Sequence, residues 1–177
     1  NLNISDLNWP YPIRKIIRPF KELVNERRFE RMLAQGRLGI EHVSGPRDMQ
    51  CKDNEVVVLC LVRNGAPYIE KFMAHYTSKG FRYFCFLDND STDNTVEILR
   101  DFPDVSVLHT AVPYRKYKYF LKYYLTHCFA NRRWSLLVDI DEFFDYPYSE
   151  KINVSQLVAY LNAHGYHGLV CYLLDMF

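Results

Sequence analysis

Val56-Val-Val-Leu-Cys-Leu-Val62 is seven apolar residues without a polar break. A strand with one wet face alternates apolar and polar residues, so an unbroken run reads as a strand covered on both faces. The run is far shorter than the ~20 residues that span a bilayer. Downstream, apolar runs alternate with helical periodicity. Tyr68–Ser78, Thr92–Asp101, Tyr117–Asn131 and Val154–His164 read as helices, with Tyr83–Leu87, Val105–Leu108, Ser135–Val138 and Leu169–Leu174 as strands. Strand following helix at this spacing predicts an α/β fold with a mostly parallel sheet.

A chain of 177 residues with 49% apolar content supplies the core of one domain. Lys plus Arg is 22 against 21 for Asp plus Glu, so no net field draws the chain to nucleic acid or an anionic membrane. The five cysteines form no C-x-x-C pair and read as free thiols in a reducing compartment. With no signal-peptide layout, the expected location is cytoplasmic. Residues 1–50 differ in character and read as an N-terminal extension, with 51–177 as the α/β domain. In the extension a basic amphipathic helix is expected from about Pro19 to Gln35, Phe20, Leu23, Val24, Phe29, Met32 and Leu33 forming its apolar stripe. It either packs on its own domain with solvated arginines or makes peripheral contact with a membrane surface or partner. The last residues, Leu173-Leu-Asp-Met-Phe177, carry no turn, cap or polar tail, and read as a domain truncated near a strand end.

Ligands of open α/β sheets lie beyond the carboxyl ends of the strands, and the polar clusters fall there. Arg63-Asn64-Gly65 follows the first strand, Asp88-Asn-Asp-Ser-Thr-Asp-Asn-Thr95 the second, and Asp139-Ile-Asp-Glu142 the fourth. The second cluster either caps a helix through Ser91 or Thr92 or belongs to a site, since capping leaves Asp88, Asn89 and Asp90 unneeded. It fails as a calcium loop, having Asp93 where Gly is required and Leu99 where Glu is required. Asp139 and Asp141 end an apolar run and precede Phe143 and Phe144, a setting that suits a metal site better than a freely solvated loop. Oxygen donors alone suit Mg²⁺ or Mn²⁺. An Asp-x-Asp phosphatase is the other reading, weakened by Phe143 where Thr or Val is usual. Tyr114-Arg-Lys-Tyr-Lys-Tyr-Phe-Leu-Lys-Tyr-Tyr124 interleaves basic and aromatic residues. Its three readings are a packed helix with snorkelling lysines, a diphosphate contact through Arg115, Lys116 or Lys118, and a nucleic-acid platform, the last disfavoured by a net charge of +1. His75, His109 and His127 read as packing histidines.

Taken in order, Leu61-Val-Arg-Asn-Gly-Ala-Pro-Tyr68, His75 with Gly80, Leu87-Asp-Asn-Asp-Ser-Thr-Asp-Asn-Thr95 and Trp134-Ser-Leu-Leu-Val-Asp-Ile-Asp-Glu-Phe-Phe144 resemble the family 2-like glycosyltransferases of GT-A (Rossmann-like) fold. Family 92 carries a similar Asp-x-Asp-Glu-Phe signature. The resemblance implies a nucleotide-diphospho-sugar transferase of hexosyltransferase type, using a sugar nucleotide donor, in all expectation a uridine diphosphate sugar, and an unidentified glycan, lipid or protein acceptor. It implies nucleoside contacts at Val62, Arg63, Asn64 and Asp88, with Asp139 and Asp141 holding the cation that bridges the donor's phosphates. The chain departs from the family in having Gly65 where an acidic residue commonly follows the Asn. No catalytic base is assigned: Asp175 is only 34 residues beyond Asp141, and Glu142 fits a supporting role. A nucleotide-sugar-binding domain without turnover is the alternative.

Overall fold

The computed structural model describes residues 31, 38–130 and 132–174. Apart from Arg31, the basic helix expected over residues 19–35 lies outside them, as does Asp175. The core is a five-stranded sheet of order β1-β4-β3-β2-β5. Its strands are β1 (Glu41–Ser44), β2 (Val56–Val62), β3 (Tyr83–Asp88), β4 (Val105–His109) and β5 (Trp134–Val138). β2 to β5 are parallel and β1 is antiparallel to β4. Helices α1 (Ala66–Ser78), α2 (Thr95–Arg100) and α3 (Tyr114–Phe129) make the crossovers, and α4 (Val154–Ala163) follows β5.

The unbroken apolar run of β2 is explained by its central place, flanked by β3 and β5 and covered on both faces. Val56, Val58, Cys60 and Val62 face one core with Phe72 and Tyr76 of α1 and Val158 of α4. Val57, Leu59 and Leu61 face the other, with Leu121 and Leu125 of α3 and with Leu38 and Met49. The helices change faces because the chain reverses direction across the sheet. From β2 through β3 to β4 it moves one way with α1 on one face, and from β4 it returns past β2 to β5 with α3 on the opposite face. Right-handed crossovers require that switch. The reversal falls between β2 and β5, and it is beyond the carboxyl ends of the strands at such a point that doubly wound sheets bind ligands.

Two elements differ from expectation. β1, within the segment read as extension, is short and polar, and its register shifts between His42 and Ser44. Leu169–Leu174 forms no strand: the segment has no ladder partner among the described residues, and Tyr172, Leu173 and Leu174 are exposed. No helix among the described residues is long and apolar enough to cross a membrane. All five cysteines are free, with Cys60 and Cys85 buried and Cys128 and Cys171 exposed.

Candidate functional site

The loop leaving β2 is held by the loop leaving β3. Asn64 takes a left-handed backbone, φ 53°, which Asn tolerates better than most residues. Its N–H donates to Ser91 Oγ at 2.8 Å, and its side-chain oxygen accepts from Thr92 N at 2.8 Å. Gly65 N donates to Thr95 Oγ1 at 2.8 Å and Ala66 N to Asp93 Oδ2 at 3.2 Å. The amides at the start of α1, which lacks a side-chain cap of its own, are thereby satisfied across the loop. Ser91 and Thr92 do not cap α2; they bind Asn64, and α2 begins only at Thr95. Burial pushes the Asp93 carboxyl up, but hydrogen bonds from Thr95 and Ala66 outweigh it and hold the group below the usual carboxylate range.

Asp88 ends β3 and is buried, at 1% exposure. One of its oxygens accepts from His109 Nδ1 at 2.9 Å and from Ser91 N at 3.2 Å, while Oδ1 has no hydrogen-bond partner among the described residues. His109 ends β4 in register with Asp88. Val62 is likewise buried, and its carbonyl accepts from Asn89 N at 2.8 Å. Of the four residues expected to contact a nucleoside, Arg63 alone has an exposed side chain with no hydrogen bond or ion pair among the described residues.

The acidic turn after β5 faces this loop. Gly65 marks the contact: a Cβ there would lie 2.5 Å from Val62 Cγ2 and 3.3 Å from Ile140 Cγ1. Any side chain at position 65 would therefore have to push Val62 aside and would crowd the Asp-Ile-Asp turn. Gly65→Ala is expected to lower stability by about 1–3 kcal/mol through overpacking, measured as a shift in urea midpoint. An unchanged midpoint means the two loops do not touch as described.

Asp139 is half-exposed, and its Oδ1 accepts from Lys122 Nζ of α3 at 2.9 Å. The turn is closed on itself, Asp139 N donating to Glu142 Oε2 at 2.9 Å and Glu142 N to Asp139 O at 3.0 Å. Glu142 therefore shapes the turn. Asp141 is exposed and makes no hydrogen bond or ion pair among the described residues. No three His, Cys, Asp or Glu side chains converge as a metal-binding group among the described residues. The acidic turn thus offers two carboxylates, Asp139 and Asp141, with no third such side chain converging on them among the described residues.

Tyr76, buried on α1, braces the turn from below. Its hydroxyl donates to Glu142 O at 3.0 Å and accepts from Phe144 N at 3.0 Å. His75 Nε2 donates to Phe144 O at 2.9 Å, and its ring meets Phe143 edge-on at 5.0 Å, so His75 packs and positions. Tyr76→Phe leaves two backbone groups without their partner. It is expected to cost about 1–3 kcal/mol, read from denaturant unfolding, and an effect near zero shows that Tyr76 does not support the turn.

Sequence reasoning missed Lys122 and Tyr76. One of its three readings of the segment put a diphosphate contact at Arg115, Lys116 or Lys118; Lys116 and Lys118 lie over Tyr117 and Tyr119, and the lysine that reaches the acidic turn is Lys122, one turn further along α3. The spacing held the signal, since Lys122 follows the buried Leu121 at the edge of the packed face. A cavity of about 740 Å³ runs along β5 and α4 and is lined by Trp134, Leu136, Phe144, Leu157, Leu161 and Cys171. Neither acid of the turn lines it, so it is not the candidate site.

No protein-family model matches this chain, and no curated protein matches it.

Proposed function

We propose that this domain is a GT-A-type glycosyltransferase that binds a nucleotide-diphosphate sugar, the uridine diphosphate form first among candidates, beyond the carboxyl ends of β2 and β5. The carrying observation is that Asp139 and Asp141 sit on a turn at the carboxyl end of β5, against the loop of Arg63 and Gly65, where the strand order reverses. Their hard oxygen donors suit Mg²⁺ or Mn²⁺, and Asp139 already draws a cationic group, the Lys122 ammonium, onto its carboxylate. When bound, such a cation stabilises the negative charge that builds on a departing nucleoside diphosphate. The residues of the chain do the rest. Arg63 offers a second positive charge at the rim, Glu142 and Tyr76 fix the acidic turn, and Asp93, Ser91 and Thr95 hold the first loop against it.

A second reading, a nucleotide-sugar-binding domain without turnover, is favoured by one observation. Glu142, the third carboxylate of the turn, is engaged through Oε2 with Asp139 N and so serves the turn rather than standing as a dedicated base for an acceptor hydroxyl. The test is calorimetric titration of uridine diphosphate into the full chain with Mn²⁺ and with chelator. Metal-dependent binding is expected; absent or metal-independent binding overturns the proposal. Release of free sugar from a uridine diphosphate sugar then separates the transferase from the silent binder.

A further inference from the structure

Lys122 occupies an oxygen of the acidic turn that a metal ion would also use. α3 is anchored on the sheet by Leu121 and Leu125, both fully buried, which places the stem of Lys122 beside the acidic turn. Its ammonium sits 2.9 Å from Asp139 Oδ1, with the lysine side chain 31% exposed and that of Asp139 45% exposed. A divalent cation on that oxygen would disfavour the ammonium there, because two positive charges at such close separation repel. The flexible four-carbon stem of lysine lets the charge move while α3 stays docked.

We infer that Lys122 is a transferable counter-charge: it neutralises Asp139 when the site lacks a metal, and moves onto the nucleotide's diphosphate when metal and nucleotide bind together. The inference rests on the transferase reading and deepens it. Its consequence is a coupling between the two ligands. Metal alone works against the charge of Lys122, whereas a diphosphate arriving with the metal gives the ammonium a new partner. The diphosphate then gains a charge-assisted hydrogen bond that exists only in the assembled complex. Lys122 is a binding residue for the diphosphate and a competitor for the metal, roles that no other lysine of α3 combines among the described residues.

The two roles carry opposite signs on removal of the charge. In Lys122→Met the stem and its packing remain and the competing cation is gone. Mn²⁺ alone is expected to bind about threefold tighter, in keeping with the small worth of a partly exposed ion pair. At saturating Mn²⁺, uridine diphosphate is expected to bind roughly tenfold weaker through loss of a hydrogen bond to a charged group. Lys122→Arg keeps the charge and should restore most of the nucleotide affinity. Free Mn²⁺ followed by electron paramagnetic resonance reads the first quantity, and calorimetry reads the second. If the native chain binds Mn²⁺ and Lys122→Met changes neither affinity, or weakens both together as a prop for the turn would, the counter-charge inference is overturned. If the native chain binds no Mn²⁺ even with uridine diphosphate present, the transferase reading itself fails and takes the inference with it.

Discussion

Alanine at both Asp139 and Asp141 is expected to abolish Mn²⁺-dependent binding of uridine diphosphate, a loss of at least ~100-fold. Outer partners of metal ligands are themselves worth about 10–100-fold, and here both protein ligands would go. Unfolding should barely change. Asp139 is half-exposed and Asp141 is exposed, and a surface ion pair such as Lys122 with Asp139 contributes only about 0–1 kcal/mol. The singles should differ in kind. Asp141→Ala removes a ligand and nothing else, so residual binding stays metal-dependent and weak. Asp139→Ala also releases Lys122, whose freed ammonium can meet a phosphate directly, so what remains should be weak and indifferent to chelator. Titration of each variant with Mn²⁺ and with chelator distinguishes these outcomes. Full metal-dependent affinity in the double variant would remove the acidic turn from the site.

The acidic turn was legible because its chemistry is local: carboxylates that end a largely apolar strand stand out against the residues before them. The layers were legible for a similar reason. Alternate residues of β2 face opposite cores, both apolar, and no other arrangement suits seven such residues in a row. What stayed hidden depends on pairs far apart in sequence. Ser91 and Thr92 have the chemistry of helix caps, which left capping open beside a site, and their actual partner is Asn64, 27 and 28 positions away. Lys122 reaches Asp139 only because the crossover from β4 to β5 lays α3 on the second face. Periodicity cannot show that. β1 was missed because four mixed residues, Glu41-His-Val-Ser44, carry no period, and its antiparallel pairing with β4 supplies what they lack. Leu169–Leu174 was misread for the converse reason: a strand-like composition does not make a strand without a neighbouring edge to bond. The identity of Gly65 found its meaning only in the packing of Val62 and Ile140.

Alkaline solution should unfold this protein abruptly. Tyr76, Tyr124 and Tyr146 are all pushed from 10.0 to about 12, chiefly by burial, and burial also raises the thiols of Cys60 and Cys85 above 9.0. Each of these groups is neutral when protonated, so a raised value means that the folded chain holds its proton while the unfolded chain releases it. The unfolded state then binds fewer protons, and stability falls as pH rises. The contribution is intact below about pH 9, where thiols of the unfolded chain begin to ionise, and the tyrosine part is lost progressively between 10 and about 12. A two-unit shift corresponds to about 2.7 kcal/mol, a scale that applies to Tyr76 and Tyr146, which are almost fully enclosed. Two such groups together approach the ~5–15 kcal/mol that holds a domain of this kind folded, before the thiols are added. Urea midpoints taken at pH 7.5, 9, 10 and 11 under reducing conditions should fall slowly at first and steeply beyond 10. Tyr76→Phe provides the internal control. It is less stable than the native chain at pH 7.5, through loss of the bonds to Glu142 and Phe144, but its decline above pH 10 is shallower because one titrating group is gone. A midpoint constant up to pH 11, or parallel slopes in the two proteins, would show that the hydroxyl of Tyr76 ionises as freely in the fold as in the open chain, and that it does not sit locked beneath the acidic turn.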